Sequence, residues 1–599
     1  MLGKISNVVL VLVYYSILTS SYSNGYPLST QNRWIIDEST KQRSKLVCGN
    51  WAGHLEPMLP EGLNKKPLKD LVSQLVNQRF NCVRLTYAIY MWTRYENNVV
   101  EDTLRDLRIH KEVVKGISKS NPSLLKMTHI QVFDTLVKEL GDQNVMVLLD
   151  NHVSKAKWCC NDDDGNGFFY DKYFDPLEWM QGLSLVGKHY AGNSVVVAMS
   201  LRNELHGPRQ NKGDWYHYMS EGAKTIHKAN PQVLVVVSGL NYDTEFHFLK
   251  RKPLKLNIGK KLVYETHLYS WSGVGILNLK ETWTMQPLNK ICANSLEALD
   301  NQVGFLRSGS DAAPIIFSEF GFDESGSNEE DNNFLTCLQT YLVGNDLDWG
   351  LWAFQGSYYL RDDKAQVDEN FGLMDSSWTH LRYPNFNEKF QLLIRKIQDP
   401  TSKVSNNESI LYYPLSGQCV KVNGRNELEV SSCETKDRWI HDGDGGNINL
   451  VKTNKCLTSN GEGFPVTLSN DCKSKNSSWM FVSRSKLHLA TTNIQSDGEY
   501  LCLQKDSNSP TILTSKCICI EDDDDSTCLN NPQSQWFQLV PTNNNVQPST
   551  QAMFYSQPKM RDRNIKTSSY ASKLCKSQSL VRKFGQTVGL IVFFFTLLF

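Results

Sequence analysis

Glu204 closes the stretch Arg202-Asn203-Glu204, and Glu319 opens Glu319-Phe320-Gly321; each follows a short apolar run. The ends of other apolar runs carry Arg84, His152, His267 with Tyr269, and Trp352. Two carboxyl groups facing each other beside an aromatic platform are what cleavage of a glycosidic bond requires. One gives a proton to the leaving oxygen while the other stays ionised. Singly, each residue has an ordinary explanation: a Glu at a strand end is solvated, an Arg pairs with a structural acid, a Trp fills a core. Eight such types at eight corresponding positions are a different matter, and they point to one site.

The elements that must hold these residues are legible as an alternation. Apolar runs at 46–49, 80–85, 145–150, 195–200, 233–238, 262–266, 314–318 and 349–352 are rich in Val, Ile and Leu and lack period-two polarity, as strands covered on both faces should. Between them lie amphipathic stretches. The segment 67–79 places Leu68, Leu71, Val72, Leu75 and Val76 on one stripe, and 128–140 places Val132, Leu136 and Leu140 likewise. Eight strands alternating with helices predict an α/β fold, a (β/α)8 TIM barrel over 33–398, whose catalytic groups stand at the C-terminal strand ends. A doubly wound sheet is disfavoured because no Gly-rich dinucleotide loop follows the first strand.

On these stretches the chain resembles glycoside hydrolase family 5. The matching pieces are Asn81-Cys82-Val83-Arg84, Leu149-Asp150-Asn151-His152, Arg202-Asn203-Glu204, His267-Leu268-Tyr269, Ser318-Glu319-Phe320-Gly321 and Gly350-Leu351-Trp352. The resemblance implies a retaining mechanism with Glu204 as acid/base and Glu319 as nucleophile, and carboxyl groups about 5–5.5 Å apart. It implies that Asn203 bonds the sugar 2-hydroxyl, Arg84 and Tyr269 keep the nucleophile ionised, His267 orients Glu204, His152 contacts the sugar and Trp352 floors its subsite. Arg84 beside Glu319 would depress the nucleophile's pKa, while Glu204 needs a raised one. The sequence departs from the family at Leu205, where the residue after the acid/base is usually Pro. That Pro shapes the loop and takes no part in the chemistry.

The third loop of the barrel holds Trp158-Cys159-Cys160 and then Asp162-Asp163-Asp164-Gly165-Asn166-Gly167. Asp162, Asp164 and Asn166 have the one-three-five spacing of a calcium loop, but Tyr173 stands where a bidentate Glu should close it. The loop therefore reads as a rim segment shaping substrate access, tied by one of its cysteines. Neither a metal nor a cofactor is expected.

After a polar linker at 399–410, residues 411–541 repeat a pattern three times. Cys419 and Cys433 precede Trp439, Cys456 and Cys472 precede Trp479, and Cys502 with a later cysteine precedes Trp536. This predicts a three-lobed all-β domain, and it resembles the ricin-B-type β-trefoil lectin. The repeat motif Gln-x-Trp keeps its core Trp but loses its Gln, so the resemblance implies the trefoil fold and leaves glycan binding open. Cys502 could pair with Cys517, Cys519 or Cys528, and Cys48 and Cys82 read as buried thiols. The acidic run 521–525 reads as a solvated loop.

Residues 1–23 read as a secretory signal, with Lys4 before an apolar stretch of about 11 residues that is too short to span a bilayer. Secretion would give meaning to the sequons at Asn407 and Asn476. The segment 542–599 reads as a low-complexity tail ending in a short apolar run. A membrane anchor through it is the second reading, behind a dispensable tail. The 63 basic and 63 acidic side chains cancel, which argues against nucleic acid and suits a neutral β-linked oligo- or polysaccharide, handled by a monomer. The 15 cysteines leave at least one without a partner inside the chain.

Overall fold

Alternate residues along each barrel strand divide the molecule into an inner and an outer core. The computed structural model describes residues 27–272, 280–403, 407–435, 437–491, 499–520 and 527–544. Eight parallel strands close a barrel: β1 (Val47–Trp51), β2 (Cys82–Ala88), β3 (Met146–Val153), β4 (Val196–Ser200), β5 (Leu234–Val237), β6 (Leu262–Leu268), β7 (Ile315–Phe320) and β8 (Asp348–Leu351). Each corresponds to one predicted run. Side chains two apart on a strand share a face. Cys48, Cys82, Leu148, Ala198, Val236, Val263 and Ile316 therefore meet inside the barrel, and Leu28 and Ile35 of an N-terminal hairpin join them. Their strand neighbours Val47, Val83, Val147, Val235, Phe317 and Trp349 pack outward into the larger core shared with the helices.

The amphipathic stretches form helices where their stripes require. Leu68–Asn77 buries Leu68, Leu71, Val72 and Leu75. His129–Asp142 starts on a capping box in which Thr128 and Gln131 satisfy each other's backbone N–H groups. Two further helices, Leu288–Gln302 and Glu329–Gly344, are joined by Cys292–Cys337.

Cys48 and Cys82 are not thiols. They are register partners on β1 and β2, both face inward, and they form a disulfide. Cys159 is bonded to Cys160. The remaining bridges are Cys419–Cys433, Cys456–Cys472, Cys502–Cys517 and Cys519–Cys528. Seven bridges use 14 of the 15 cysteines, and the last, Cys575, lies outside the described residues.

The C-terminal region is all-β. Its first strand, Glu408–Tyr413, begins inside the segment read as linker and pairs antiparallel with its last, Gln538–Thr542. Trp439 and Trp479 fill its core. Trp536, expected there too, is fully buried but belongs to the barrel's outer core instead, its indole N–H donating to Asn289 Oδ1 at 2.8 Å. Gln533 donates to Asn333 at 2.6 Å and Gln538 to the Thr340 carbonyl at 2.9 Å. Lys389, buried, donates to the Pro414 and Leu415 carbonyls at 3.0 and 2.8 Å. Barrel and β region thus form one compact unit. Among the described residues no helix is long and apolar enough to cross a membrane. Residues 1–23, read as a signal, the acidic run 521–525 and the segment beyond 544 lie outside the described residues.

Candidate active site

Above the apolar layer inside the barrel comes a polar one, then the rim. Counting by two from the inward-facing residues gives Asn50 from Cys48, Arg84 from Cys82, Asp150 and His152 from Leu148, and Glu265 and His267 from Val263. The Arg84 guanidinium is fully buried at the centre. Its Nη1 donates to Glu319 Oε1 at 2.6 Å and Asn50 Oδ1 at 3.0 Å, and its Nη2 to Asn203 Oδ1 at 2.8 Å. Asp150 and Glu265 also pair with it, at 3.0 and 3.4 Å. Burial alone would loosen its proton; the three surrounding acids more than reverse that, so Arg84 is a permanent cation.

Glu319 also accepts from the Tyr269 hydroxyl at 2.9 Å. Glu204 Oε1 meets His267 Nδ1 at 2.9 Å. One carboxylate oxygen of Glu204, one of Glu319 and a ring nitrogen of His267 all lie within 4.8 Å of one another. The other face of His267 fixes its tautomer. Ser318 donates its hydroxyl to Glu265 at 2.7 Å, so its oxygen must accept from His267 Nε2, 2.9 Å away. Burial lowers the His267 pKa. A neutral His267 protonated on Nε2 turns a lone pair toward Glu204, which then donates. Burial lifts the Glu204 pKa to about 7, with His206 and Arg84 pulling the other way.

Glu319 departs from expectation. Burial raises its pKa, and Arg84 only moderates the rise. The desolvation cost of a carboxylate at the bottom of the barrel mouth outweighs one guanidinium already divided among three acids. Tyr269 is held as an O–H donor, its pKa pushed up by burial and by Glu319.

His152 Nδ1 bonds Asp150 Oδ2 at 2.7 Å and its Nε2 faces Asn203 Nδ2 at 3.4 Å. Its ring lies nearly parallel to Trp352, with centroids 5.7 Å apart. All eight side chains singled out from the sequence therefore converge on one mouth. Asn50, Asp150, Asp243, Glu265 and Ser318 were not singled out, and His54, fully buried with its ring 3.9 Å from His152, belongs with them. A signal was present for Asp150 and Glu265: an acid inside an otherwise apolar, doubly covered strand needs a partner.

The acid-rich third loop turns its oxygens inward to protein groups. Asp164 accepts from the Asn166 N–H at 2.6 Å, Asn166 from the Ser154 and Lys155 N–H groups, and Asp162 from the Tyr242 hydroxyl at 2.6 Å. Cys159, Cys160 and His206 stand close enough together to ligate an ion, but the two sulfurs are spent on each other. The donors of the Glu204, His267 and Glu319 set already serve Arg84, Tyr269 and one another.

Residues 44–357 match the family profile described as Cellulase (glycosyl hydrolase family 5). A "Glycosyl hydrolase 5 family protein" of Chamaecyparis obtusa is 42% identical over 541 residues, covering 88% of this chain and 95% of that protein. The chain belongs to glycoside hydrolase family 5. It is a glycosidase of that family. An "Endoglucanase" of Paenibacillus polymyxa is 22% identical over 63% of this chain and 88% of its own. The solved endocellulase of the archaeon Pyrococcus horikoshii is similar at a TM-score of 0.49 and 19% identity, covering 62% of this chain and 99% of that one.

Proposed function

We propose that this family 5 enzyme is a retaining hydrolase of a β-linked glucan, with Glu204 as general acid/base and Glu319 as nucleophile. The observation that carries the reading is that one carboxylate oxygen of Glu204 and one of Glu319 lie within 4.8 Å of each other, an approach that suits the retaining separation of about 5–5.5 Å better than the roughly 6.5–9.5 Å that an inverting water needs. In the first step Glu319 attacks the anomeric carbon while Glu204 protonates the departing oxygen. In the second, Glu204 takes a proton from the water that releases the sugar. Arg84 and Tyr269 hold Glu319 as the attacking anion, His267 sets the proton on Glu204, Asn203 bonds the 2-hydroxyl, and His152 and Trp352 line the subsite. A β-glucan is favoured because the matched family profile is that of cellulases and the Paenibacillus relative is an endoglucanase.

The test is a panel of β-1,4-, β-1,3- and mixed-linked oligosaccharides with wild type, Glu319→Gln and Glu204→Gln. Wild type should turn over a β-glucan and release first the β-anomer by NMR. Each variant should lose at least about 10³-fold in kcat/KM. Release of the α-anomer would overturn the retaining mechanism, and glycan binding with no turnover by wild type would make the barrel a binding module.

For the C-terminal region we propose the ricin-B-type trefoil fold. Its support is three short Cys-closed loops with separations of 14, 16 and 15 residues and a strand pairing that joins the region's first and last strands. Binding of glycans to wild type, with the barrel blocked by a mechanism-based inhibitor bonded to Glu319, would show a separate lectin site. An extracellular location is supported by the seven disulfides.

A further inference from the structure

Glu204 has a backbone φ of +40°, a left-handed value that an L-residue adopts only where its surroundings impose it. Leu205 gives no help of the kind a proline would. Four contacts hold the turn. The Glu204 N–H donates to Asp243 Oδ2 at 3.1 Å, and the Tyr242 N–H to the Leu205 carbonyl at 2.9 Å. The His206 N–H donates to the Gly167 carbonyl at 3.2 Å. The fourth is the His206 side chain, whose Nδ1 bonds the Glu204 carbonyl oxygen.

The same ring reaches the acid-rich loop on its other side, with Nε2 at 3.2 Å from Asp164 Oδ2. A carbonyl oxygen and a carboxylate oxygen can only accept, so both ring nitrogens must donate, and an imidazole donates twice only when protonated. His206 is 1% exposed, Tyr242 lies flat against it at 4.9 Å, and a Cβ on Gly167 would stand 2.6 Å from the ring. The ring has no room to leave.

We propose that His206, held as an imidazolium by Asp164, is a positioning residue for Glu204: it clamps the acid/base turn from the third loop and sets a fixed positive charge beside the carboxyl group. Asp164, and Asp162 by way of Tyr242, thus serve the active site through a histidine. The inference rests on Glu204 being the acid/base. Its direction of effect agrees with the local electrostatics. Burial alone would discharge His206, and Asp164 reverses this, raising its pKa; His206 in turn tempers the rise of Glu204.

The Glu204 carboxyl group faces His267 of β6 and Glu319 of β7, with Arg84, Asp150, Glu265 and Asp243 behind them; His206 faces Asp164 and Tyr242, with Asp162 on the Tyr242 hydroxyl. Only the Asp164 carboxylate is removed by Asp164→Asn. That variant should shift the basic limb of the kcat/KM–pH profile upward by about 0.5 unit or more, because losing the cation raises the Glu204 pKa. Its kcat should fall about 10-fold with KM within about 3-fold of wild type, and Asp164→Glu should restore most of both. In the wild-type full chain labelled with ¹⁵N-histidine, both ring nitrogens of His206, assigned by their loss in His206→Gln, should be protonated at pH 7.

A singly protonated His206 at pH 7 would overturn the proposal without recourse to any variant. So would an Asp164→Asn enzyme with wild-type kcat and an unmoved basic limb, or a uniform loss of activity with no change of profile. Glu204→Gln in the same assay separates the two readings. If it stays active the acid/base assignment fails; if it is inactive while Asp164→Asn is unmoved, only the clamp fails.

Discussion

At the scale of single residues, the site is governed by how much each carboxyl group loses on leaving water and what it receives in return. Glu319 gains Arg84 and the Tyr269 hydroxyl, yet burial still raises its pKa. Glu204 has only His267 bonded to its carboxyl group, with His206 and Arg84 acting through space, and burial lifts it to about 7, where it can give and take a proton near neutrality. The Tyr269 bond favours the ionised nucleophile, so Tyr269→Phe should raise the Glu319 pKa and move the acidic limb of the kcat/KM profile to higher pH. The lost charge-assisted bond should reduce kcat about 10- to 100-fold, measured under saturating substrate. An unchanged acidic limb would mean that Arg84 alone keeps Glu319 ionised.

At the scale of elements, the strands place the reacting groups through contacts too tight for a side chain. Gly350 on β8 lies beside β7 and β1. A Cβ there would meet the Ser318 carbonyl oxygen at 2.5 Å and Asn50 Nδ2 at 3.3 Å. Asn50 bridges these strands, donating to the Ser318 and Leu351 carbonyls while accepting from Arg84. Gly350→Ala should therefore cost about 1–3 kcal/mol in stability by urea denaturation. Because Asn50 must shift, kcat should also fall, a coupling that an alanine on an outer helix face would not show. The predicted strand boundaries matched well because doubly covered strands need unbroken apolar runs. The Cys48–Cys82 bridge was missed because a sequence separation of 34 reveals nothing about register.

At the scale of the whole molecule, barrel and β region meet through buried polar groups, and Lys389 is one whose ionisation bears on stability. Burial drops its pKa to about 7, with carbonyl oxygens and the Thr336 hydroxyl as its partners. The unfolded chain, with a lysine near 10.4, binds more protons than the folded one between about pH 7 and 10, so stability from this group rises with pH in that window. The slope is at most about 1.4 kcal/mol per pH unit. Thermal unfolding at pH 7, 8 and 9 should show wild type gaining stability relative to Lys389→Met across the series. Parallel behaviour of the two proteins would show that Lys389 keeps its charge in the interface.

Local pattern by itself determined the eight strands, the stripes of the helices and the eight residues at the strand ends, because each depends on a periodicity or a spacing that the chain carries along its own length. The Trp repeats marked an all-β region for the same reason. Only the tertiary structure decided which buried acids share Arg84, that Glu319 is raised rather than depressed, that Trp536 belongs to the barrel side, and that the acid-rich loop serves His206. Those outcomes depend on desolvation and on distances between segments far apart in sequence, such as Arg84 and Glu319 or Asp164 and His206. Burial and through-space partners set the sign of an electrostatic effect, and neither can be read along the chain.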